Sequence, residues 1–234
     1  MRTFTTQSDE ILAGVNPKAT EEAIASDEPP QVSSRRRFIR KSAAVTTAAT
    51  GLIVSNSSRS QATGINYNNF HEIQSDENEH VAFLLNALGS SARPRPTFKN
   101  LRAANLNQFI SMSATFESVG TGAYPAAAPF ILDPGSLSIA ARIAIVEGRH
   151  AGYLTTLVNQ PLVPDESAFQ PLLFPNDVAS AAGNYIASLN GGPPLTYQLG
   201  TRSPQNDLLI LNFALALEML EQEFYNINVP RFFP

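Results

Sequence analysis

Residues 76–84 read Asp76-Glu77-Asn78-Glu79-His80-Val81-Ala82-Phe83-Leu84, and residues 146–154 read Val146-Glu147-Gly148-Arg149-His150-Ala151-Gly152-Tyr153-Leu154. A shift of 70 residues carries Glu77, His80, Phe83 and Leu84 onto Glu147, His150, Tyr153 and Leu154. In each copy a carboxylate and an imidazole stand three residues apart, which on a helix sets them one turn apart on one face. That face is the apolar one. Glu77 and His80 share it with Ile73 and Leu84, and Glu147 and His150 share theirs with Ile143 and Leu154. An ionised carboxylate in a core costs several kcal/mol unless it is paired or coordinated, and a divalent metal ion is one efficient solution.

The repeat extends to single carboxylates. Glu117 stands seven residues before Tyr124 and Glu218 seven before Tyr225, so a shift of 101 superposes the two pairs. Two copies of a helix pair, each giving one Glu and one Glu-x-x-His, supply Glu77, His80, Glu117, Glu147, His150 and Glu218. Four carboxylates and two imidazoles match the known inventory of di-iron and di-manganese carboxylate bundles. Hard oxygen donors joined by two imidazoles suit iron or manganese better than copper or zinc. Glu221, three residues after Glu218 on the same face, is the alternative ligand or a residue that positions one. Glu79 and Glu223 are read as facing solvent and His71 as a surface residue. Tyr124 and Tyr225 are read equally as donors to bridging carboxylates and as core aromatics.

Four helices account for these positions. The first spans Phe70–Leu88 and stops at Gly89; the second lies within Leu101–Val119, before Gly120 and Gly122 disturb it. A local bulge at the glycines would re-aim Glu117. With no strand before it, the Gly120-Thr121-Gly122 run is not a nucleotide loop. The third helix follows Asp133-Pro134-Gly135-Ser136, with Ser136 as N-cap, and runs to about Val158. The fourth follows Ser203-Pro204 and covers Leu208–Tyr225. Between the last two, Pro161, Pro164, Pro171, Pro175, Pro193 and Pro194 leave room for only a short helix near Val178–Leu189. No segment alternates with period two. The domain is therefore expected to be all-α, an antiparallel four-helix bundle with a long Pro-rich crossover.

The two segments quoted first, together with Phe116-Glu117-Ser118-Val119-Gly120-Thr121-Gly122-Ala123-Tyr124 and the run from Leu211-Asn212-Phe213-Ala214 through Glu218 to Tyr225, resemble the ferritin-like domain family that includes desiccation-related proteins. The resemblance covers most of residues 70–158 and 206–226. It implies a dimetal centre held by Glu77, His80, Glu117, Glu147, His150 and Glu218. Family members usually begin with the Asn-Phe-Ala-Leu-x-Leu-Glu helix, which here comes last, so the helix order reads as a cyclic permutation. A bundle closed within one chain is expected, with completion by another chain as the alternative.

The 234 residues hold 16 basic and 20 acidic side chains and no cysteine. Disulfides, thiolate nucleophiles and Cys-ligated zinc are thereby excluded. Residues 1–62 carry 8 basic and 6 acidic groups, and residues 63–234 carry 8 and 14. An acidic body argues against nucleic acid as a partner. Residues 1–33 read as a disordered tail. Residues 34–62 have the shape of an export signal: Ser34-Arg35-Arg36-Arg37-Phe38-Ile39-Arg40-Lys41, then a mildly apolar run to Val54. Ser34, Arg35, Arg36, Phe38 and Arg40 fit the twin-arginine consensus, with Ser60-Gln61-Ala62 as the best cleavage candidate. That expectation places the mature domain, residues 63–234, in the periplasm or another extracytoplasmic space, with no stable membrane anchor after processing. Two function classes remain. One is a dimetal oxidoreductase, oxidase or catalase-like, acting on peroxide or dioxygen in stress protection. The other is a non-catalytic ferritin-like bundle with a structural or stress-protective role. Metal ions are the expected partners in the first, and homo-oligomers are compatible with both.

Overall fold

Asn105, Asp133 and Ser203 each turn a side-chain oxygen onto the backbone N–H three residues on, at Gln108, Ser136 and Asn206, with N···O distances of 2.9, 2.6 and 3.1 Å. These are N-caps, and they start three of the four long helices of the computed structural model. The structure describes residues 58–163 and 167–234. The long helices are α1 (Ser58–Leu88), α2 (Leu106–Ala127), α3 (Pro134–Leu157) and α5 (Pro204–Phe232); α4 (Pro175–Ala182) is the short one. The protein is all-α, as the sequence led one to expect. The tail expected over residues 1–33, and the basic cluster and apolar run of residues 34–54, lie outside the described residues. Residues 58–62, assigned above to the signal segment, are helical as the first turn of α1.

The helices α2 and α3 lie against each other, as do α1 and α5, and α2 also meets α5. Helix α1 buries one stripe: Phe70, Ile73, Glu77, Val81, Leu84 and Leu88, at spacings of three and four. The last helix differs. Every residue from Ile210 to Glu221 is buried, so α5 is the axis around which the rest is assembled. Its outer side is covered by the connections. Arg93 N donates to Asn212 Oδ1 (2.6 Å), Asn212 Nδ2 donates to Ser91 O (3.0 Å), and the Tyr197 ring meets Phe213 edge-on at 5.4 Å. The bundle thus closes within one chain.

Several boundaries differ from the sequence expectation, each for a physical reason. The second helix runs on through Gly120 and Gly122, without a bulge, to Ala127. Both glycines mark close approach: a Cβ on Gly122 would meet Leu173 Cγ at 2.6 Å, and one on Gly120 would collide with the Glu147 carboxylate. Asp133, not Ser136, caps α3, with Pro134 in the first turn, where its missing N–H costs nothing. Continuing past Tyr225, α5 reaches Phe232, because an aromatic cluster at that end of the bundle buries its last turns. There Phe70 stacks on Phe233 (centroids 4.8 Å apart) and Phe109 on Phe232 (5.5 Å). His71, read as a surface group, lies within this end, its Nε2 3.0 Å from Phe233 O.

The connection from α3 to α5 is the Pro-rich crossover. Its described residues include α4, a 3-10 turn at Gly183–Tyr185, and β2 (Ile186–Ser188), which pairs antiparallel with β1 (Thr97–Phe98). This ribbon ties the crossover to the α1–α2 connection. Tyr185 then sets its ring edge-on against Phe116 of α2, 4.9 Å between centroids. Asp207, near the start of α5, accepts the N–H groups of Leu132 and Asp133, both at 2.8 Å, and so fixes the α2–α3 turn to the core helix.

Candidate metal centre

Glu77 and His80 on α1, Glu117 on α2, Glu147 and His150 on α3, and Glu218 on α5 turn inward at one level of the bundle. Glu77, Glu117 and Glu147 are completely buried, and Glu218 nearly so. Their oxygens and the two Nδ1 atoms fall into two groups, each with all ligand atoms within 4.8 Å of one another. One group is Glu77, His80, Glu147 and Glu218; the other is Glu77, Glu117, Glu147 and His150. Glu77 and Glu147 belong to both. His80 Nδ1 lies 3.3 Å from Glu77 Oε2, 3.5 Å from Glu147 Oε1 and 3.1 Å from Glu218 Oε2. His150 Nδ1 lies 3.2 Å from Glu77 Oε1 and 3.1 Å from Glu117 Oε2.

The sequence repeat appears here as a pseudo-twofold arrangement. The two Glu-x-x-His helices contribute the shared carboxylates, and the other two contribute one unshared carboxylate each. Tyr124 donates its hydroxyl to Glu218 Oε1 and Tyr225 to Glu117 Oε1, each at 2.5 Å. Each tyrosine therefore holds the glutamate of the opposite repeat. Glu117 and Glu218 each belong to one of the two groups. The phenols are buried in acidic surroundings, and burial followed by the nearby glutamates pushes both well above their ordinary pKa.

Electrostatics is the main difficulty of this core. Two full charges about 4 Å apart repel by about 4 kcal/mol even at an effective dielectric of about 20. Burial, and then the neighbouring carboxylates, raises Glu77 and Glu147 well above the ordinary carboxylate range. Burial also pushes Glu218 up, but the hydrogen bond and charge of His80 outweigh it and leave its carboxyl below the usual value. For His150, burial alone would lower the pKa; Glu117 and then Asp76 overcome this and push it up to about 9. Despite these contacts, Glu77 Oε1 and both oxygens of Glu147 are buried without a hydrogen-bond partner. Orphaned oxygens on the two shared carboxylates fit a donor set completed by cations.

The sequence reading passed over Asp76, whose Oδ2 lies 3.0 Å from His150 Nε2. Its place in the repeat is taken by Val146 in the other copy, so the repeat itself hid it. Glu221 is buried beside the site but belongs to neither ligand group, and burial, then Glu218 and Glu117, raises its carboxyl well above the ordinary range. Glu79 is exposed, and Glu223 sits at the surface with Arg95 at 3.3 Å. A pocket of about 390 Å³ opens between α1 and α3, lined by Asp76, Glu79, His80, Phe83, Ile139, Arg142, Ile143, Ile145 and Val146. Of the six inward-turned residues, His80 alone reaches it.

Among known families, that described as the ferritin-like domain matches residues 40–160. The match takes in α1, α2 and α3 with Glu77, His80, Glu117, Glu147 and His150, and leaves Glu218 outside it. No curated protein and no solved structure matches the chain. With just over half of its length matched, and with an all-α fold that brings buried glutamates and histidines into two adjoining groups, the chain belongs to the ferritin-like domain family.

Proposed function

We propose that the chain is an exported ferritin-like protein that holds two iron or manganese ions between Glu77, His80, Glu117, Glu147, His150 and Glu218, and that it handles peroxide or dioxygen in protection against stress. The observation that carries this reading is the sharing of Glu77 and Glu147 by two four-ligand groups, with Glu77 Oε1 and both oxygens of Glu147 buried without a hydrogen-bond partner. Glu117 and Glu218 each supply an unshared carboxylate, oriented by a tyrosine hydroxyl. His80 and His150 present Nδ1 to the groups, which requires the proton on Nε2 whenever Nδ1 acts as a ligand. When bound, the ions supply the electron transfer that peroxide or dioxygen chemistry requires. The polypeptide excludes water around the shared carboxylates and leaves one imidazole edge open to the pocket.

Metal analysis of protein refolded with iron or manganese tests this. Two ions per chain are expected, falling to one or none in His80→Ala or Glu147→Ala and unchanged in Glu79→Ala. A folded protein that binds neither ion would leave the structural bundle as the better reading.

A further inference from the structure

The repeat that builds the centre is broken where it meets the two imidazoles. A shift of 70 puts Val146 where α1 carries Asp76. Consequently His150 is held at both nitrogens: Nδ1 faces Glu117 and Glu77, and Nε2 lies 3.0 Å from Asp76 Oδ2. His80 is held at one. Its Nδ1 faces Glu77, Glu147 and Glu218, and its Nε2 has no hydrogen-bond partner among the described residues. The His80 side chain is 12% exposed against 7% for His150, and it alone of the two lines the pocket. An imidazole that gives its outer N–H to a carboxylate is fixed in tautomer and ring orientation and is the more basic ligand. The second break in the repeat, Glu221 against Gly120, does not discriminate, because the Glu221 charge bears on both Glu218 and Glu117.

We infer that the two ligand groups are unequal and fill in order. The group containing Glu117 and His150, positioned by Asp76, takes the first ion. The group containing Glu218 and His80, open to the pocket, takes the second and exchanges it with solvent. This inference rests on the dimetal reading and adds to it a positioning residue and an entry port. It concerns binding alone and assigns Asp76 no part in chemistry.

Titration of the metal-free protein with manganese(II), followed by calorimetry and by electron paramagnetic resonance, tests it. Two resolved steps are expected, an isolated ion at the first equivalent and a magnetically coupled pair at the second. Asp76→Asn should weaken the tighter step by about 10–100-fold and leave the weaker one unchanged. His80→Ala should abolish the weaker step and leave the tighter. The melting temperature of each metal-free variant separates loss of a ligand from loss of the fold. A single two-ion step in the unaltered protein, or an Asp76→Asn variant in which the weaker step or neither step weakens, would overturn the order while leaving the dimetal centre standing. Absence of any bound manganese would overturn both.

Discussion

Gly120 shows how a residue without a side chain shapes this centre. A helix interior disfavours glycine by about 1 kcal/mol relative to alanine, so its presence in α2 needs a reason. The reason is Glu147, whose carboxylate occupies the space a Cβ would take. Gly120→Ala is therefore expected to do two opposed things. It favours the helix, and it displaces the end of a shared ligand. Metal affinity should drop well below that of the unaltered protein, while the melting temperature of the metal-free form changes by only a few degrees. Calorimetric titration beside a thermal melt reads both quantities. Equal affinity in the variant would mean that Glu147 does not need its observed position. The repeat in the sequence made Glu77, His80, Glu147 and His150 legible, because carboxylates on apolar faces are costly without partners. It concealed Asp76, which lies where the two copies differ. Gly120, read from the sequence as a helix interruption, instead makes room for Glu147.

At the scale of elements, the starts of α3 and α5 and the ends of α1 and α3 were legible, whereas the start of α1 and the ends of α2 and α5 were not. Proline after Asp133 and after Ser203 announces a helix by a local rule, and both helices begin there. The ends of α2 and α5 depend on tertiary contacts that no local rule contains. The two glycines of α2 stand where Glu147 and Leu173 crowd against the helix, and α5 continues to Phe232 because an aromatic cluster receives it. The signal-like segment is an element of a different kind, read from Ser34, Arg35, Arg36, Phe38 and Arg40 and the apolar run to Val54. If it directs export of the folded chain, replacing Arg35 and Arg36 together by lysine should leave precursor in the cytoplasm. Fractionation of cells carrying the variant measures this, and export at the unaltered level would mean that the segment serves another purpose.

Across the whole molecule, stability and metal binding should respond to pH in opposite directions. Glu77, Glu147 and Glu221 titrate well above 4.5 in the fold, and His150 near 9 rather than 6.5. For each, the folded protein holds the proton more tightly than the unfolded chain. The stability they contribute is full below the unfolded pKa and is lost as pH rises through the folded one. Glu218 runs the other way, since its depressed carboxyl loses its contribution only as pH falls below the ordinary range. The metal-free protein should therefore melt at progressively lower temperature as pH rises from 6.5 to about 9, with His150 alone accounting for a loss on the order of 3 kcal/mol. Bound ions require those protons to leave, so affinity rises with pH. Thermal melts with and without manganese across that range should diverge, the loaded protein holding its melting temperature. Parallel curves would contradict the assignment of the titrating groups to the binding site.

The central claim is that Glu77 and Glu147 are shared between two ions. Anomalous scattering from crystals of manganese-loaded protein addresses it most directly. The account predicts two peaks inside the bundle, both in contact with Glu77 and Glu147, one also with Glu218 and His80 and the other with Glu117 and His150. A map with no peak among these six side chains, or with manganese only at surface carboxylates such as Glu79, would contradict it.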